Sequence, residues 1–201
     1  MLKLMIFQPS APAPDTDLTL MERIQARDEE GLRRLMERKA EKLHAFCTRT
    51  LGSREEAKDV LQEIFIRVWE QAGKFDPAYS VNTWLYRIAY NLCIDHLRHE
   101  SSAQSTHERF FHLVHTPRGE DPTPLNHLQK GEAERILKEL SAFLSPTQKA
   151  VFMLHEVEEF TTPEIADVLK CRQTTVRNHL FHARRLLAAK LKELYPEYAH
   201  G

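Results

Sequence analysis

Residues 170–192 carry Lys170, Arg172, Arg177, Arg184, Arg185, Lys190 and Lys192 and no aspartate or glutamate. A run of this kind binds anions. Ammonium and guanidinium groups neutralise phosphates, and an arginine fork or a side-chain amide can also read a base edge. Arg177 has the donors for guanine and Gln173 the donor–acceptor pair for adenine, whereas Arg184, Arg185, Lys190 and Lys192 suit phosphates, where charge matters and sequence does not. Charge alone describes a solvated basic helix face equally well. The elements around the run decide between the two.

Val176, Leu180, Ala183 and Leu187 recur at helical spacing and form an inward stripe. Gln173, Thr174, Arg177, Asn178, Phe181, Arg184 and Arg185 fall outside it. Upstream, Thr161, Thr162, Pro163 and Glu164 open a short helix through Leu169, and residues 170–172 form a brief turn. A short helix, a tight turn and a longer basic helix make a helix-turn-helix, whose second helix enters the major groove. Lys170 stands where a left-handed glycine would be the unstrained choice, and Arg172 where a serine or aspartate cap is expected.

Other side chains form two further candidate surfaces. Ser53 caps a helix over 53–73 whose stripe is Ala57, Val60, Leu61, Ile64, Phe65, Val68, Trp69 and Ala72. Its opposite face holds Glu56, Asp59, Gln62, Glu63, Ile66, Arg67 and Glu70. Ile66 is apolar on the wrong side for the core, which fits either a protein-docking face or a solvated face with one stray apolar residue. The loop 74–80 leads to a helix over 81–99 with Trp84, Leu85, Ile88, Ala89 and Leu92 inward. Off that stripe lie Tyr86, Arg87, Tyr90, Asn91, Asp95, His96 and Arg98. Aromatic, amide and basic groups interleaved in this way suit unstacked bases; equally, the tyrosines can pack on neighbouring helices with wet hydroxyls.

The frame is all-α. Asp17 can cap a first helix over 18–26, and a second runs over 28–50 to a stop near Gly52. Four such helices make a compact bundle over 17–99. Residues 100–131, with three prolines and Gly119 and Gly131, read as a flexible linker that carries an unusual Phe110, Phe111, Leu113 and Val114 cluster. A second helical domain covers 132–195, with Ser145, Pro146 and Gln148 as a capping box; 1–16 is a flexible arm and 196–201 a tail. The net charge of -1 excludes a uniformly basic coat and allows separate acidic and basic faces. Cys47, Cys93 and Cys171 form no paired motif, so they read as plain thiols of a reducing compartment. His96, His99, His107, His112, His115 and His127 gather at or in the linker, but no cysteine or carboxylate pair completes a metal site, and no metal or cofactor is expected. The apolar start is too short for a signal segment, so the expected location is cytoplasmic.

The runs AKDVLQEIFIRVWEQAGKFDP and TWLYRIAYNLCIDHLR, followed by LSPTQKAVFMLHEVEEFTTPEIADVLKCRQTTVRNHLFHARRLL, together resemble the sigma-70 family of bacterial RNA polymerase sigma factors, in its short extracytoplasmic-function (ECF) group. The resemblance covers residues 17–99 and 132–194. It implies a region 2 four-helix bundle and a region 4 helix-turn-helix domain joined by the linker. It implies that Asp59, Gln62, Glu63, Ile66 and Arg67 contact the clamp helices of the largest subunit of core RNA polymerase, with the flap a further contact. It implies that Asp76, Tyr79, Ser80 and Asn82 form a pocket for a flipped −10 base, and that Arg87, Asn91, Asp95 and Arg98 read and melt the −10 element, with His96 a local addition. Arg172, Gln173, Thr174, Arg177 and Phe181 would read the −35 element, and Arg184 and Arg185 its phosphates. Promoter DNA and an anti-sigma factor are the implied further partners. Lys170 and Arg172 depart from the family's usual glycine and small polar residue, which bears on the promoter sequence read.

The main rival is an autonomous helix-turn-helix regulator that does not depend on core polymerase. A second is a decoy that only binds an anti-sigma factor; the intact basic helix speaks against it. No Gly-rich phosphate loop, HExxH or nucleophile pattern points to an enzyme, and no small-molecule substrate is expected.

Overall fold

The computed structural model describes residues 15–104 and 128–198. The Phe110–Val114 cluster, most of the linker, most of the N-terminal arm, and His107, His112, His115 and His127 lie outside the described residues. Those that are described form an all-α chain in the order α1 (Asp17–Gln25), α2 (Glu29–Leu51), α3 (Arg54–Gln71), a 3-10 turn (Ala72–Lys74), α4 (Val81–Gln104), α5 (Leu128–Ser141), α6 (Pro146–Glu156), α7 (Thr162–Leu169) and α8 (Gln173–Leu194), with a last 3-10 turn at Pro196–Tyr198.

Local capping sets most of these boundaries. Ser53, Ser145 and Thr161 each accept from the backbone N–H three residues on, and Gln148 and Glu164 reach back to complete capping boxes. Gly52 ends α2 in the left-handed conformation at φ 83°. The start of α1 differs from expectation. Thr16, one residue earlier, is the cap, because its hydroxyl and that of Thr19 satisfy each other's backbone N–H. Asp17 is the first helical residue, and its carboxylate pairs with Lys39 and Arg38 of α2. At its other end α4 continues to Gln104, into the stretch read as linker.

The stripes pack as their spacing requires. Ala57, Val60, Ile64, Phe65, Val68 and Ala72 are buried against Leu35, Leu43, Phe46, Leu85 and Ala89, with Leu61 and Trp69 packed at the edge. Gly31 lets α1 and α2 close together: a Cβ there would lie 2.9 Å from the Arg23 Cβ. Val176, Leu180, Ala183 and Leu187 are all buried. Leu187 and Ala183 pack with Ile136, Leu140 and Leu144 into a smaller cluster under α5.

The two helical units also pack on each other. α6 and α7 lie against α2 and α4, and one apolar cluster runs through both units. Tyr86 is the pivot. It is 4% exposed, its ring sits edge-on to Phe46 at 5.2 Å and to Phe160 at 4.9 Å, and its hydroxyl donates to Glu158 Oε2 at 2.6 Å. The Glu158 side chain is 8% exposed and has Arg49 of α2 at 3.8 Å. Burial, and then the hydrogen bond to Glu158, push the Tyr86 phenol well above its ordinary range. Of the two uses open to Tyr86, packing is the one found, with its hydroxyl bonded to a carboxylate. Cys47 and Cys93 are buried free thiols in the bundle core, and Cys171 is a half-buried one in the 170–172 turn.

Candidate nucleic-acid interface

Three exposed surfaces hold the candidate residues. The first is the outer face of α3. Its inner stripe turns Asp59, Gln62, Glu63, Ile66 and Arg67 together onto the opposite side. Ile66 is 52% exposed at the centre of that face, and Arg67 donates to Glu63 at 2.9 Å. An exposed branched apolar residue ringed by polar ones has the make-up of a docking centre.

The second surface is the start of α4 with the loop before it. Asp76 Oδ1 accepts from Ala78 N at 2.9 Å, which folds the loop into a turn. Ser80 Oγ accepts from Thr83 N at 3.0 Å and caps α4. Both side chains thus shape the loop. Tyr79 and Asn82, with Ser80, line an open recess of about 370 Å³. The opposite wall comes from α1, through Asp17 and Leu18, which no local pattern ties to this loop. Arg87 stacks on the Tyr79 ring at 5.1 Å and donates to the Asp167 carbonyl of α7 at 3.0 Å. Further along α4, Asn91 and Asp95 are exposed, Arg98 lies 3.6 Å from Asp95, and His96 lies 3.2 Å from Glu56 of α3.

The third surface is the outer face of α8. Lys170 takes the left-handed conformation at φ 52° and ψ 47°, where glycine was the unstrained choice, and Arg172 is the N-cap without a side-chain capping bond. Both expected departures therefore occupy the positions assigned to them. Arg172, Gln173, Thr174, Arg177, Phe181, Arg184 and Arg185 are all exposed, Phe181 at 60%. A shallow groove of about 500 Å³ runs along Arg177, Phe181, Arg184 and Arg185, and its far wall is His155 of α6 and Thr162 of α7. Arg177 and Arg185 have no ion-pair partner among the described residues. Arg184 does: its fork donates to Glu156 Oε1 at 3.0 and 2.5 Å, and this bond holds the Glu156 carboxyl below its ordinary range. Sequence reasoning missed His155, Glu156 and Thr162. His155 and Thr162 reach the groove from other helices and Glu156 reaches Arg184, and no spacing rule on α8 points to them.

An all-α chain with a helical bundle before a helix-turn-helix, and a basic recognition helix facing solvent, is a nucleic-acid reader by class. Comparison with known proteins makes this specific. Residues 35–103 match the family model of sigma-70 region 2, and residues 134–187 that of sigma-70 region 4. The ECF RNA polymerase sigma-E factor of Haemophilus influenzae is 30% identical over 184 residues, 89% of this chain and 97% of that protein. The RNA polymerase sigma-H factor of Pseudomonas aeruginosa is 29% identical over 189 residues, 91% of this chain and 97% of that one. The chain belongs to the sigma-70 family, in the ECF group, and functions as a sigma factor in transcription initiation. Among solved structures the fold is shared with CnrH, determined with the cytosolic domain of CnrY, at a TM-score of 0.64 and 22% identity over 90% of this chain and 99% of that one. It is shared too with RpoE of Bartonella quintana, determined with the anti-sigma factor NepR, at 0.61 and 18% over 80% and 96%.

Proposed function

We propose that this sigma factor binds core RNA polymerase through Asp59, Gln62, Glu63, Ile66 and Arg67 on α3. It reads duplex −35 DNA with Arg172, Gln173, Thr174, Arg177 and Phe181, and steadies the phosphates with Arg184 and Arg185. It captures unpaired −10 bases with Asp76, Tyr79 and Ser80 of the 75–80 loop and with Asn82, Arg87, Asn91, Asp95, His96 and Arg98 of α4. The observation that carries this reading is the open face of α8, where Arg177, Phe181 and Arg185 project to solvent beside a groove. His155 and Thr162 line that groove and join the −35 contacts.

No covalent chemistry is involved. Trapping flipped bases shifts the melting equilibrium, because the open form alone offers them. The two readers must also separate. Elements centred at −35 and −10 lie roughly 85 Å apart at ~3.4 Å per base pair. A compact chain of this size is only about 40 Å across. In the closed arrangement Arg87 is held by Asp167 and Tyr86 by Glu158. Binding to core polymerase would break these contacts and set the spacing. An anti-sigma factor that favours the closed form would oppose it; the anti-sigma factor bound in the Bartonella quintana structure supports an anti-sigma partner for this chain. No described helix is long and apolar enough to cross a membrane, which suits a cytoplasmic site of action beside the polymerase.

The test is transcription from a randomised promoter library by bacterial core polymerase mixed with the purified protein. Selective initiation, with −35 and −10 motifs in the products, is expected. DNA binding with no core binding would favour the autonomous regulator instead.

A further inference from the structure

Lys39 of α2 does not line the recess of the 75–80 loop, yet it holds two residues that do. Its ammonium pairs with the Asp17 carboxylate and donates to Asn82 Oδ1 at 2.8 Å, and its side chain is 17% exposed. An ammonium has donors and no acceptor, so the amide oxygen of Asn82 faces Lys39 and the NH2 is turned away from it. A free asparagine presents both an acceptor and a donor, the pattern that reads adenine with two hydrogen bonds. With Oδ1 turned toward Lys39, the NH2 is the edge of the Asn82 amide left facing away from Lys39 for a guest, and the second lone pair of Oδ1 stays on the Lys39 side.

We infer that Lys39 is a positioning residue for −10 recognition: it fixes the orientation of the Asn82 amide so that the NH2 is the reading group, which favours a base presenting an acceptor to it. The inference rests on the reading that this recess seats an unpaired −10 base.

Two bland explanations of the contact are already met by other groups. The start of α4 does not need it, because Ser80 caps that helix. The charge of Lys39 does not need it either, because Asp17 supplies the counter-ion. Asn82 is exposed, and water would satisfy its amide at no cost. What the bond adds is orientation. α1 and α2 approach closely at Gly31, and Asp17 of α1 pairs with Lys39 of α2.

The test uses holoenzyme made with each variant and initiation from promoters randomised at the −10 element. Asn82→Ala should flatten base preference at one −10 position by about tenfold, the scale of one lost base contact. Lys39→Met should flatten the same position to a similar degree, the double variant should lose no more, and Lys39→Arg should keep the preference. Asn82→Asp keeps an acceptor for Lys39 but has no NH2; it should lose the preference while melting no lower than the parent. That variant carries the test should Lys39→Met not fold. A uniform fall at every promoter with Lys39→Met, together with a lower melting temperature, would overturn the inference and leave the base pocket standing. So would an Asn82→Asp variant that keeps the preference. If Asn82→Ala changes no position, the base-pocket reading itself fails and the inference with it.

Discussion

The two helices proposed to read DNA stand in opposite states. On α8 the reading face is open: Arg177 and Arg185 have no ionic partner among the described residues, and Phe181 projects into solvent. On α4 one flank is covered by the other domain, with Tyr86 bonded to Glu158 and Arg87 to Asp167. The difference fits what each helix is proposed to read. A duplex presents its major groove to any free helix, so the −35 reader needs no preparation. Unpaired bases exist only after melting, and a permanently open −10 face would expose tyrosine and arginine to adventitious single strands. Under the proposed reading, covering it with the C-terminal helical unit makes the two readings depend on one event, the separation of the two units.

The largest expected effect lies on neither reader. Ile66→Asp places a charge at the centre of the α3 face and should weaken assembly with core polymerase by about 3 kcal/mol, more than a hundredfold. Pull-down and fluorescence titration would measure it, and the melting temperature should hold because Ile66 supports no core packing. Next comes the open reader. Arg177→Ala should cost about 2 kcal/mol in binding to duplex −35 DNA by the free protein, with specificity relaxed at one base pair. Arg185→Ala should cost less, act evenly across sequences, and lower the salt slope by about 1. If Arg177→Ala left duplex binding unchanged, the contrast between an open and a covered reader would fail.

The covered reader makes a smaller and distinct prediction. Tyr86→Phe removes one hydrogen bond to a carboxylate between domains and should weaken closure by about 1–2 kcal/mol. Small-angle scattering should then show a larger radius for the free protein, while −35 duplex binding stays level. The smallest effect concerns pH. The Glu30 carboxyl is held down to about 2, from an ordinary 4.5, by its hydrogen bonds to Arg33 and then Arg34. A carboxyl depressed in the folded state stabilises the fold above its unfolded pKa, and that contribution disappears as pH falls from about 4.5 through about 2. The pair is exposed, so salt should screen most of it. Glu30→Gln should flatten the acid limb of the stability curve only slightly, as followed by circular dichroism.

Much of this architecture is legible in the sequence because it is local. Ser53, Ser145 and Thr161 announce their helices within four residues, and the 176, 180, 183, 187 stripe fixes which face of α8 meets solvent. Ile66 stands out on α3 for the same reason. What was not legible depends on contacts between distant segments. Tyr86 is bonded across 72 residues, and the wall of the loop recess comes from α1 through Asp17 and Leu18. Lys39 meets Asn82 across 43 residues. Asp76 and Ser80, which the resemblance assigns to the base pocket, also bond within their own loop and helix, a local role that the sequence does not announce. Thr16 took the cap assigned to Asp17 because Thr19 reciprocates, a pairing visible in the sequence that the preference for aspartate concealed.

The most direct test is the distance between a label on region 2 and one on region 4, measured in the free protein and again in a transcribing complex with core polymerase and promoter. The closed arrangement predicts a short distance in the free protein and one longer by tens of ångströms on the promoter, at roughly 3.4 Å per intervening base pair. An unchanged short distance in an active complex would contradict it.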